Sequence, residues 1–336
     1  MVNLKRLTAL VAALAVMAGV LQAPSSAAPR ERESLANTIL MVWKGVAGDE
    51  RIWWSRLNDD GRGWTAPQPI PGANTSAGVA LAGTGVDTFT MTWKGVQGDQ
   101  RIWFNRYANG TWSTPQPVAG AASSFGPGST NLVATYQAWK GVDGDQDIWW
   151  NRRLEGQWSA PQRIPGAATS FGPALGGRQW SLGNWEPLML WKGVEGDQRL
   201  WWNTYQESSN RWTAPQVMPG GNSSAGTALG IYNGDVQAAW KGVQGDQQIW
   251  WSRMLYGTSS WTAPQQIPGA SSSVGPALSQ HANTLYMAWK GVEGDQRIWW
   301  NTFNGSSWSS PQPVPGASTS FRPAIGVGSW RPDRHQ

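Results

Sequence analysis

Apolar residues in this chain come in short bursts, and none keeps the three-to-four spacing of an amphipathic helix. Around Met287 and Trp289 they alternate with their neighbours, whereas Ile298, Trp299 and Trp300 run apolar on both faces. Strands covered on both sides read this way. With 22 prolines and 41 glycines as punctuation, strands joined by turns are predicted, and no helix past residue 28.

The bursts repeat. Trp-Lys-Gly begins at Trp43, Trp93, Trp139, Trp191, Trp240 and Trp289, in steps of 50, 46, 52, 49 and 49 residues. A composite unit reads S-x-G-P-A-L, a variable piece, x-M-A-W-K-G-V-x-G-D-x-R-I-W-W-N-R, a second variable piece, and W-T-A-P-Q-x-I-P-G-A. From the second residue of the Trp pair to the next Trp the distance is 10, 8, 8, 10, 10 and 8 residues, beginning with Trp54 to Trp64 and Phe104 to Trp112. The distance is always even. Each side chain therefore keeps its face while the hairpin tip between third and fourth strands changes length.

Four-stranded units of this size, repeated six times, predict an all-β fold: a six-bladed β-propeller of four-stranded antiparallel blades over residues 35–327. The ends complement each other. Leu35-Ala36-Asn37-Thr38 matches His281-Ala282-Asn283-Thr284, so the first copy lacks its S-x-G-P-A-L strand, and Ser320-Phe321-Arg322-Pro323-Ala324-Ile325 is an orphan first strand. Pairing them closes the ring with the C-terminal strand, whereas a solenoid needs caps instead.

In an up-and-down blade the K-G-V-x-G-D loops, between second and third strands, share a face with the P-G-A-x-x-S-x-G-P loops that lead into the next first strand. The variable loops, including Asn58-Asp59-Asp60-Gly61 and Gly176 to Trp185, lie opposite. Past residue 28 every lysine belongs to the repeated motif: Lys44, Lys94, Lys140, Lys192, Lys241 and Lys290. Five residues on stand Asp49, Asp99, Asp145, Asp197, Asp246 and Asp295. Two readings are open: an ion pair across each hairpin, or a donor and an acceptor in each blade for a hydroxyl-rich ligand. One Asp per loop supplies too few oxygens for calcium. Trp43 and its equivalents, with the first of each Trp pair, are expected to pack between blades. The second of each pair, Trp54, Trp150, Trp202, Trp251 and Trp300, is the candidate to line a cleft and stack on a sugar ring. The repeated Pro-Gln (Gln68, Gln116, Gln162, Gln216, Gln265, Gln312) adds an amide to the same picture.

Composition narrows the chemistry. Of 26 tryptophans, all but Trp180, Trp185 and Trp330 fall at repeat positions, so the excess is the core of a repeated fold. The absence of cysteine excludes disulfides, zinc-thiolate sites, iron–sulfur clusters and thiol catalysis. His281 and His335 leave little for a histidine metal site or triad, and neither metal nor cofactor is implied. The net charge of +5 is small for the length, and its basic groups are spread round the ring, which argues against nucleic acid. Lys5 and Arg6, the apolar run Leu7 to Leu21 and a small-residue stretch to Ala28 read as a secretory signal of bacterial style over residues 1–28. Export and no membrane span are expected, with a short segment at 29–34 and a tail at 328–336.

The order T-S-x-G-P-A-L, L-Y-M-A-W-K-G, G-D-x-R-I-W-W, W-T-A-P-Q-x-I-P-G-A resembles tandem-repeat β-propeller lectins: the seven-bladed lectins of insect-pathogenic bacteria, and in strand order the six-bladed fucose-binding lectins. The resemblance implies sugar binding at several equivalent clefts between blades, without a cofactor. The fungal type opens its second strand with an Arg where this chain has Leu285 and Ile39, so fucose is not implied. Asp59-Asp60-Gly61-Arg62-Gly63-Trp64 resembles a partial Asp-box of sialidase propellers, with Leu57 where the Ser belongs.

The leading expectation is thus a secreted, multivalent lectin whose partners are glycans or glycoconjugates. A glycoside hydrolase is the first alternative. It needs one asymmetric pair of carboxylates, for which the unshared acids Asp143, Asp147, Glu155, Glu186 and Asp235 are available. An extracellular protein-interaction scaffold using the variable face is the second. Oligomeric state is not readable.

Overall fold

The computed structural model describes residues 38–328. The expected signal at 1–28, the segment at 29–34, the first residues of the propeller and the tail past Gly328 lie outside them. Within the described residues there is no helix, and the strands form six antiparallel sheets. From first strand to fourth, blade one is Ala324–Val327, Ile39–Lys44, Arg51–Arg56 and Gln68–Asn74. Blade two is Val79–Gly85, Thr88–Lys94, Arg101–Ala108 and Gln116–Ala122, and blade three is Gly128–Asn131, Thr135–Lys140, Asp147–Leu154 and Gln162–Ala168. Blade four is Ala174–Ser181, Asn184–Lys192, Arg199–Gln206 and Gln216–Asn222. Blade five is Thr227–Tyr232, Asp235–Lys241, Gln248–Met254 and Gln265–Ser271, and blade six is Ala277–His281, Thr284–Lys290, Arg297–Phe303 and Gln312–Ser318.

The C-terminal strand closes the ring as the repeat phase required: Val42 pairs with Ala324 and Ile39 with Val327. Each first strand lies beside the first strands of both neighbouring blades. The second strands, Ile39–Lys44 and its equivalents, are buried along almost their whole length, which accounts for their unbroken apolar character. Register places each Trp-Lys-Gly tryptophan opposite the first of the Trp pair, as Trp43 opposite Trp53 and Trp289 opposite Trp299. Their indoles therefore share one face, and the second of the pair points the other way.

The core consists of clusters between blades. Trp93, Trp103 and Trp112 of blade two meet Ile52, Trp54, Ile70 and Ala73 of blade one, and the same assembly recurs round the ring. At each interface the second Trp of one blade meets the later Trp of the next in an edge contact: Trp54 with Trp112, Trp150 with Trp212, Trp202 with Trp261, Trp251 with Trp308 and Trp300 with Trp64. Phe104 fills the sixth position against Trp158.

Two local expectations need correction. The later Trp of each unit does not lie on the fourth strand: Trp112 pairs with Tyr107 on a short return of the third strand, and Trp64 bridges to Leu57. The following proline has no N–H to continue the ladder, so pairing resumes only at the next residue, as Gln68 opposite Trp54. Nor is Gly176 to Trp185 an open loop. It is an extension of the first hairpin of blade four, closed by a turn at Leu182 and Gly183 and pinned by an Arg178–Glu186 ion pair of 2.6 Å.

Candidate functional site

The repeated loops gather on one face, as connectivity requires. Lys94 Nζ donates to Ser76 Oγ at 2.6 Å, and Ser76 belongs to the loop entering the same blade. The contact recurs as Lys140–Ser124, Lys192–Ser170, Lys241–Ser224, Lys290–Ser273 and Lys44–Ser320. The ammonium also meets loop carbonyls: Lys44 Nζ donates to those of Val46 at 3.1 Å and Asp49 at 3.0 Å. These lysines are buried, from 5% exposed at Lys44 to 8% at Lys290. Burial pushes their pKa down, partly offset by the neighbouring aspartates.

The ion pair expected between Lys and Asp does not form. The Asp49 carboxylate instead accepts from Arg51 Nε at 2.9 Å, from Arg51 Nη2 at 3.1 Å and from the Trp53 indole N–H at 2.9 Å. The guanidinium lies 4.6 Å from the centre of the Trp53 ring. This Asp–Arg–Trp group recurs with Asp99, Arg101 and Trp103, with Asp197, Arg199 and Trp201, and with Asp295, Arg297 and Trp299. Hydrogen bonds from the arginine hold Asp49, Asp99, Asp197 and Asp295 down to a pKa of about 2. The geometry also explains the glycines. A Cβ on Gly45 or its equivalents would overlap the Asp side chain, and the glycine before each Asp, such as Gly48 with φ of 85°, is left-handed.

Blades three and five depart from this. Asp145 and Asp246 keep the indole bonds to Trp149 at 2.9 Å and Trp250 at 2.8 Å, but the arginine position holds Asp147 and Gln248. Asp147 pairs with Arg163 instead, at 2.7 Å. Trp149 and Trp250 therefore lack the guanidinium that covers the indole in the other four blades.

The sequence candidates thus separate and recombine. The indole that Asp99 holds, Trp103, packs against the same interblade cluster as Trp54, the second Trp of the preceding blade. Trp150, Trp202 and Trp300 are buried there, and Trp54 and Trp251 are partly so. In blades three, four and six the more open ring is the first Trp of the pair, Trp149, Trp201 and Trp299, where the spacing predicts packing. Between blades five and six a cleft of about 190 Å³ is lined by Gly269 and Ser271 on one side and Trp289, Asp295, Trp299 and Pro311 on the other. A broader depression of about 660 Å³ crosses the same face over blades three to five, with Lys140, Lys192, Phe125, Phe171, Gln146 and Gln198 in its walls.

A further set of residues, not singled out from the sequence, links the blades. Glu50 accepts from the Gln97 N–H of the next blade at 2.8 Å, and Gln100, Gln146, Gln198 and Gln247 do the same for Asp143, Glu195, Gln244 and Glu293. The signal was present: the residue after each motif Asp is Gln or Glu in all six copies. Four of the unshared acids each have a partner of their own, and Glu155 lies at the exposed turn after the third strand of blade three. Asp143 meets Gln100, Asp147 meets Arg163, Glu186 meets Arg178, and Asp235 accepts from the Tyr256 N–H. Among the described residues no three His, Cys, Asp or Glu side chains gather closely enough to hold a metal ion.

No protein-family model matches the chain, and no curated protein does. Solved structures do. An arginine-to-alanine mutant of AofleA from Arthrobotrys oligospora is 14% identical with a TM-score of 0.64, covering 87% of each chain. A mutant of the Aleuria aurantia lectin in complex with Fucα1-6GlcNAc is 15% identical with a TM-score of 0.58, over 85% of this chain and 97% of that one. Another structure of the Aleuria aurantia protein, described as a fungal lectin with a six-bladed β-propeller fold, matches with a TM-score of 0.57. In fold, this chain is similar to these six-bladed propellers.

Proposed function

We propose that the protein is an exported, multivalent carbohydrate-binding protein whose sites lie in the clefts between blades, around the Asp–Arg–Trp groups. The observation that carries this reading is the repeated partly exposed indole whose N–H is held by a carboxylate, which at Trp299 borders an interblade cleft. An indole face accommodates the apolar face of a sugar, and ordered carboxylate, guanidinium and amide groups around it suit hydroxyls. The structures it resembles in fold include two Aleuria aurantia complexes, one with Fucα1-6GlcNAc and one with α-methyl-L-fucoside, which supports a glycan ligand. Several weak sites on one rigid ring gain avidity on a dense glycan surface. The Lys5–Ala28 stretch supports export.

A glycan array followed by calorimetry on the strongest hit tests the proposal. More than one site per chain is expected, with binding reduced by Asp295→Ala and Trp299→Ala. Failure to bind any glycan, or a single site per chain, rejects it.

A further inference from the structure

The six first strands surround a channel along the axis of the ring, and one repeat breaks the pattern there. Five first strands open from Gly78, Gly126, Gly172, Gly226 and Gly275, where the sixth has Arg322. The glycines crowd the axis: a Cβ on Gly126 would overlap the Gly78 carbonyl oxygen, and one on Gly275 that of Gly226. The Arg322 side chain lies across this ring, its stem beside Gly78 and its guanidinium near Gly172 and Gly226. Nη1 donates to the Thr227 carbonyl at 2.9 Å and Nη2 to the Pro127 carbonyl at 3.0 Å. Burial lowers its pKa to about 10, leaving it charged at neutral pH, and no acidic side chain opposes that shift.

Arg322 roofs a small chamber of about 80 Å³. Below it, Leu81, Leu175, Leu229, Leu278 and Ile325 form an apolar collar shared with a wider chamber of about 360 Å³. Blade three contributes Ser129 to the collar, where the other five blades have Leu or Ile. The Ser129 Oγ is sealed from solvent without a hydrogen-bond partner, as is Nδ1 of His281 at the mouth of the wider chamber. No Asp, Glu, Lys or Arg lines that wider chamber. A partly buried guanidinium with two carbonyl acceptors and no ion-pair partner among the described residues, above an apolar passage, keeps further N–H donors for an anion. A ligand with an anionic head and an aliphatic body complements both features.

We propose that the axial channel is a binding site for one small aliphatic carboxylate per chain, its head on Arg322 and its tail through the collar of Leu81, Leu175, Leu229, Leu278 and Ile325. The site is distinct from the blade clefts and stands whether or not those bind sugar.

Calorimetric titration of the full chain with octanoate, octanol and acetate tests it. One octanoate per chain is expected, bound about tenfold or more tighter than octanol, because octanol lacks the charge-assisted bonds to the guanidinium. Acetate, which lacks the tail, is expected to bind more weakly than octanoate. Arg322→Gly installs the residue of the other five repeats, so the fold and its melting temperature should be retained while octanoate binding falls to the level of octanol. Ser129→Leu narrows the collar with Arg322 in place and should also weaken octanoate. Absence of saturable octanoate binding, equal affinity for octanol, or undiminished octanoate binding in Arg322→Gly overturns the proposal.

Discussion

At the scale of the residue, the motif aspartate and lysine have separate duties that their spacing concealed. The lysine ties two loops of one blade by donating to Ser Oγ and main-chain carbonyls. The aspartate orders its own hairpin by accepting from the arginine two residues on and the indole four residues on. The spacing was legible in the sequence, but the partners were not, because a buried ammonium satisfies its donors with whichever carbonyls the turn presents. The aspartates carry a pH signature. Asp49, Asp99, Asp197 and Asp295 have folded pKa values near 2, below an unfolded Asp at roughly 3.9. Their contribution to stability is fully present above about pH 4 and is lost as pH falls toward 2. Urea midpoints measured between pH 5 and pH 2 should fall with pH, and Asp295→Asn should flatten part of that slope.

At the scale of the element, the third strand places two tryptophans on opposite faces and gives them opposite fates. In blade three, Trp150 is 4% exposed and packs against Tyr205 and Trp212 of blade four. Trp149 is partly exposed and held by Asp145. Trp150→Ala should destabilise by about 3–5 kcal/mol, read as a lower urea midpoint. Trp149→Ala should cost less stability and weaken glycan binding, read by calorimetry. Alternation showed that the two rings point apart. Which face stays open could not be read from it, since that depends on the later tryptophan of the next blade, set in place by the short return at Trp212. The fourth strand begins late for a related reason: the proline three residues after each later Trp, as Pro67 after Trp64, has no N–H for the ladder, so pairing starts at the glutamine that follows.

At the scale of the molecule, Ala324–Val327 completes blade one. A chain truncated after Pro323 leaves Ile39–Lys44 as an uncovered edge strand, which invites pairing with other chains. Size-exclusion chromatography should then show higher-mass species or aggregate, with loss of the cooperative thermal transition of the full chain. The number of blades, the phase of closure and the face shared by the repeated loops were all written in the sequence. A fixed period, an even spacing and complementary ends are local properties that every copy states again. The tertiary structure alone decided which indole stays open, how Glu50 and its equivalents bridge blades, and that Arg322 spans the axis. Those outcomes join residues from different repeats: periodicity marks the residues that recur, as the Gln or Glu after each motif Asp does, but not the group each one meets in the next blade.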